Sequence, residues 1–117
     1  MGMFADEARK MEKEIADRDR LEAEREAVNA ALARRVSDDL FADLLTQRND
    51  IQMRVEKNRV LLTPDHAEEL RITCQRTSGE DAFVVAGDDG VETTIGKAEM
   101  ARRVLTWVRK IGSPQAH

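Results

Sequence analysis

Across 117 residues the chain has one Cys, no Tyr, three Phe, one Trp, two Pro and two His, and each scarcity removes a class of function. A single thiol, Cys74, makes no internal disulfide and no Cys-based metal cluster, which agrees with a reducing compartment, so a cytoplasmic location is expected. Two histidines leave little material for a His-based triad or metal site. The shortage of aromatics argues against base stacking and against an aromatic-lined ligand pocket. No apolar run approaches the roughly 20 residues needed to cross a bilayer. Met1-Gly2-Met3-Phe4-Ala5-Asp6 lacks the basic-then-apolar layout of a secretory signal, and Asp6 stands where an N-myristoylation motif needs Ser or Thr. No membrane partner is expected. Gly-x-Ser-x-Gly, the Walker loop, Gly-x-Gly-x-x-Gly and His-Glu-x-x-His are also missing. The reading is therefore of a non-enzyme without cofactor or metal.

What the chain has in quantity is charge, at 36% of residues, with a net value of −4. That net value divides unevenly: −1 over residues 1–36, −7 over 37–96 and +4 over 97–117. A partner responds to such local sign, since screening confines it to about 8–10 Å.

From Asp6 to Val36 there is no Gly or Pro, and Ala, Glu, Lys, Arg and Leu dominate, so one long helix is predicted. Asp6, Lys10, Glu14, Arg18 and Glu22 alternate in sign at steps of four, suiting i,i+4 pairs on a solvated surface. Two apolar sets are candidate partner-binding seams: Phe4, Met11 and Ile15, with Ala8 between them, and then Leu21, Val28 and Leu32. The step from Ile15 to Leu21 interrupts the heptad, and Arg18 and Arg25 stand where a continuous seam needs apolar residues. An imperfect coiled coil, or a helix folded back on its own domain or a sister chain, fits this spacing. Residues 1–36 are read as a self-association or partner-binding helix.

Residues 37–112 read as a small α+β domain, followed by a loose tail at 113–117. Ser37 suits an N-cap, and Leu40, Leu44, Ile51 and Val55 form a stripe that predicts a second amphipathic helix over 38–58. Thr63-Pro64 suits the start of a short helix running to Leu70. The period then changes to two. Leu70/Ile72/Cys74, Phe83/Val85 and Val91/Thr93/Ile95 predict a three-stranded antiparallel meander, with turns at 77–81 and 87–90. Gly96-Lys97 opens a C-terminal helix to Ile111-Gly112, with Met100, Val104, Trp107, Val108 and Ile111 turned to one sheet face.

Isolated chemical signals have ordinary structural explanations. His66 and Glu69 are spaced for a shared metal, but such a pair is far more often first-turn helix surface, Cys74 alternates inward with Ile72, and Asp88-Asp89 between glycines reads as a hairpin turn. The basic side of the last helix, Lys97, Arg102, Arg103, Arg109 and Lys110, is the candidate phosphate-binding set. Its bland reading is that these groups solvate the helix or pair with the acidic middle of the chain. The order helix, three strands, helix over about 75 residues resembles double-stranded RNA-binding domains, which read A-form shape and phosphates. Lys97, Arg102 and Arg103 match the basic helix start of that family, while Glu99, Glu80 and Asp81 depart from it.

The favoured function is a non-enzymatic adaptor or regulatory protein that forms a homodimer through the N-terminal helix and presents its α+β domain to another protein. A nucleic-acid-binding module is the alternative, and an acidic inhibitor imitating nucleic acid a further one. The first reading predicts that removal of residues 1–36 lowers the mass measured by light scattering from two copies to one.

Overall fold

The computed structural model describes residues 2–112; the expected tail at 113–117 lies outside them. The elements are α1 (Met3–Leu40), β1 (Ile51–Glu56), β2 (Arg59–Pro64), β3 (Leu70–Thr77), β4 (Glu80–Ala86), β5 (Thr94–Ile95) and α2 (Lys97–Ile111). The strands form one antiparallel sheet in sequence order, β1-β2-β3-β4-β5. The class is α+β, as expected, with five strands in place of three.

The extra hairpin, β1 and β2, replaces the second half of the helix predicted over 38–58, whose first residues are helical as the end of α1 and the turn after it. The short helix predicted over 64–70 is instead the end of β2, a loop and the first residue of β3. Ile51 and Val55, four residues apart, fit a period of two as well as 3.6, and with Met53 between them they face Pro64, Leu62 and Val60 across the β1–β2 ladder. Lys57 takes a left-handed φ of 54° in the tight turn, and Asn58 ties that turn to β3. The Asn58 side-chain amide donates to the Cys74 carbonyl at 2.9 Å, and the Cys74 N–H donates to the Asn58 carbonyl at 2.8 Å. Pro64 opens no helix. It ends β2, beyond the last β2–β3 pair Leu62↔Leu70, where a missing N–H breaks no ladder bond. The strand expected over 91–95 shrinks to Thr94–Ile95. With β1 and β2 present, the element order no longer matches the layout that suggested a double-stranded RNA-binding domain.

One sheet face carries Val60, Leu62, Leu70, Ile72, Cys74, Phe83 and Val85, all buried. Both helices cover it: α2 with Met100, Val104 and Trp107, and the last turns of α1 with Leu32, Ala33, Val36 and Leu40. The boundary expected between residues 36 and 37 thus falls inside a continuous helix. Ser37 is no N-cap; its buried hydroxyl donates to the Arg34 carbonyl at 2.7 Å. After Leu40 the helix widens into a π-turn over Phe41–Leu45, and Arg48 then secures the way into β1. The Arg48 guanidinium forks onto Asp50 at 2.8 and 2.7 Å and donates to the Gly112 carbonyl at 2.7 Å, joining the start of the sheet to the end of α2.

Gly87 has a φ of +96°, and a Cβ there would sit 2.3 Å from the Glu69 carbonyl oxygen, so the β2–β3 loop and the end of β4 can approach only at a glycine.

The core positions of α1 alter the truncation expected from sequence. Cutting at residue 36 removes Leu32, Ala33 and Val36, and each large apolar side chain lost from a core destabilises by about 2–5 kcal/mol. That variant is expected not to fold by circular dichroism and thermal melting, whereas removal of residues 2–21 should leave the melting temperature of the body unchanged.

Candidate functional site: a projecting helical arm

The long axis of the molecule is 78 Å against 23 and 21 Å across, and α1 supplies the difference. Its 38 residues span about 57 Å at 1.5 Å per residue. The last tie to the body is at Asn29, whose side-chain oxygen accepts the Arg76 N–H at 2.9 Å. Residues 6–28 before it are exposed all round the helix, forming an arm.

The arm carries five of the six expected seam residues. Phe4, Met11, Ile15, Leu21 and Val28 are 84, 57, 46, 56 and 44% exposed. Leu32 is 4% exposed and belongs to the core; it is not available to a partner. At about 100° per residue, Phe4, Ala8, Met11 and Ile15 share one side of the helix. Leu32, Ala33, Val36 and Leu40 bury the same side farther along. Between them Arg18, Glu22, Arg25 and Asn29 interrupt the stripe. The arm therefore extends the body-facing stripe of α1 into solvent.

The expected ladder of i,i+4 pairs does not close. Among the described residues the ion pairs within the arm are Lys10–Glu7 and Arg20–Asp17, both i,i+3 at 3.8 Å and well exposed. Such pairs contribute little to stability. Sequence reading treated the arm's charges as solvating and overlooked which of them flank the seam: Glu7, Glu12, Glu14 and Asp19. The signal was present in the heptad arithmetic that located the seam.

The basic helix is committed to the fold in part. The Arg103 guanidinium forks onto Asp88 at 2.6 and 2.7 Å and also donates to the Val85 carbonyl at 3.1 Å and the Val91 carbonyl at 3.2 Å. Asp88 in turn accepts the Gly90 N–H at 3.1 Å, and a Cβ on Gly90 would sit 2.5 Å from an Arg103 nitrogen. Lys110 pairs with Asp89. Acids from the middle of the chain thus take up two of the five expected phosphate ligands, leaving Lys97, Arg102 and Arg109 on the surface. The hydrogen bonds from Arg103 hold the Asp88 carboxyl below the usual carboxylate range, against the opposing effect of burial. Those from Arg48 do the same for Asp50.

Other features offer less. An apolar groove of about 240 Å³ runs between the end of α1 and α2 over Phe83, walled by Val36, Leu40, Met100 and Val104 and edged by Asp39, Asp43 and Lys97. Cys74 is buried, and desolvation, aided by Asp81, pushes its thiol up to about 12, so it is not a nucleophile at neutral pH. Among the described residues no group of three or more His, Cys, Asp or Glu could hold a metal ion, and no buried polar side-chain atom lacks a partner. No helix among them is long and apolar enough to cross a membrane. Comparisons with protein-family models, curated proteins and solved structures return no match to this chain.

The Arg103–Asp88 pair generates a stability prediction. Asp88→Ala leaves a half-buried guanidinium uncompensated and should cost about 2–4 kcal/mol in urea titration at neutral pH. Because the folded pKa of Asp88 is depressed, its contribution is full above the unfolded value of about 3.9 and is lost as pH falls through the lower folded value. The gap between wild type and Asp88→Ala should therefore narrow as the titration is repeated at progressively more acid pH.

Proposed function

We propose that the chain is a non-enzymatic protein-interaction module: residues 3–28 are its docking element and the α+β body is the mount. One observation carries this reading. Phe4, Met11 and Ile15 are aligned and exposed on a helix that leaves its own core behind. Solvent offers no return for ordering such a stripe, whereas a helix or groove on another polypeptide buries it at anchors spaced four, seven and eleven residues apart. At about 25 cal/mol per Å² of apolar surface, two or three such anchors supply several kcal/mol of association energy. The occupant is another polypeptide, a second copy included.

The nucleic-acid reading has less support. With Arg103 and Lys110 held by Asp88 and Asp89, the surviving bases Lys97, Arg102 and Arg109 share α2 with Glu99, which lies 3.9 Å from Arg102.

The test is face-specific cross-linking. A photoreactive amino acid in place of Met11 should give a discrete covalent product in extracts of the source cells, identifiable by mass spectrometry, while the same group at Lys13 on the far side should not. Adding Ile15→Glu should remove the product. Equal labelling from both positions, or none from Met11, would end the reading.

A further inference from the structure

The seam on the arm has a sign. At about 100° per residue, Glu7, Glu12, Glu14 and Asp19 all lie within about 90° of the line through Phe4, Ala8, Met11 and Ile15, whereas Arg9, Lys10, Lys13 and Arg20 lie on the opposite side. Over residues 3–19 the one base on the seam side is Arg18. Of the four flanking acids, Glu7 alone has an ion-pair partner among the described residues, Lys10 at 3.8 Å and exposed. The apolar stripe is therefore bordered on both sides by carboxylates.

This border bears on who can dock. In paired helices the residues flanking the apolar positions meet the partner's flanking residues and set its identity and orientation. Two parallel copies of the arm would bring Glu7 toward Glu12 and Glu14 toward Asp19 of the other chain. Two antiparallel copies would bring like positions together, again acid against acid. Both arrangements are repulsive, and like-charge contact is how interfaces reject wrong partners. A stripe bordered by Lys and Arg would instead meet an opposite charge at Glu7, Glu12, Glu14 and Asp19.

We infer that the arm's seam receives an amphipathic helix of a different protein, one whose apolar stripe is flanked by Lys and Arg. This deepens the docking-element reading and rests on it. The encounter is steered by charge, so it weakens as salt rises, while the anchors Met11 and Ile15 supply the seat.

The experiment uses the full chain and two synthetic helical peptides with the same Leu stripe, one with Lys at every flanking position and one with Glu. Binding is followed by fluorescence anisotropy, and mass by light scattering. The Lys-flanked peptide is expected to bind at least about tenfold more tightly than the Glu-flanked one, which is about one decade in Kd. Met11→Glu with Ile15→Glu should abolish that binding although it adds negative charge, which separates seating on the seam from general attraction to an acidic protein. Glu7→Lys, Glu12→Lys and Glu14→Lys together should reverse the preference. Equal affinity for the two peptides, no binding of either, or a preference that survives Met11→Glu with Ile15→Glu would overturn the inference. A two-copy mass that Met11→Glu with Ile15→Glu reduces to one would also overturn it, yet would leave the docking-element reading standing. Absence of a cross-link from Met11 would remove both.

Discussion

Everything in this chain depends on a sheet with one apolar face. Strands β2, β3 and β4 place Val60, Leu62, Ile72, Cys74, Phe83 and Val85 on the same side, and that side must be covered. Two helices cover it, each with a short run of turns: Met100 to Trp107 of α2, and Leu32 to Leu40 of α1. Since the sheet needs only the last turns of α1, the preceding residues are released from any packing duty. Their composition can then answer to something other than the core. The opposite sheet face stays open and polar, with Leu61 buried between Arg54 and Arg71 in register, where long arginine stems can cover it.

Electrostatics divides along the same line. The −7 and +4 segments meet on the body, where Asp88 receives Arg103 in a largely buried pair and Asp89 receives Lys110 in an exposed one. Their charges are spent on holding the β4–β5 connection to α2. Another fork, Arg48 on Asp50, closes the sheet's first strand against the end of the same helix. On the arm no such long-range pairing exists among the described residues. Around its first turns Glu7, Glu12, Glu14 and Asp19 flank the apolar stripe together with Arg18, while Arg9, Lys10, Lys13 and Arg20 share the far side with Asp6 and Asp17.

Much of this was legible in the sequence, and the failures have physical causes. The last helix was readable because Gly96, Gly112 and a clean 3.6-residue stripe agree. Strands β3 and β4 were readable because alternation is unambiguous when flanked by turn residues, and Ser78-Gly79 adopt the paired positive φ such hairpins favour. The β1–β2 hairpin was hidden because Leu40, Leu44, Ile51 and Val55 align at helical spacing across what is really a helix end, a loop and a strand. A turn made of Lys57 and Asn58 carries no glycine to announce itself. Leu32 was grouped with the exposed residues Phe4, Met11, Ile15, Leu21 and Val28 because periodicity records a face and not what the face meets. The partnering of Arg103 with Asp88 depends on tertiary proximity across 15 residues, which no local pattern encodes.

The tie between Asn29 and the end of β3 sets the length of what can lie beside the arm. Asn29 sits on the seam side of α1, so the body begins on the same side that the apolar stripe faces. The turn at Lys57 and Asn58 faces Ala27 and Ala30 of α1 across a shared hollow, so a helix laid along the stripe would run from Phe4 to meet the body there. That is about 37 Å, or some 25 residues of helix at 1.5 Å each. For the proposed docking element the body would thus be an end-stop: a partner helix seated on the stripe would meet the two tight turns of the sheet at one end, which would bound an otherwise open helical surface.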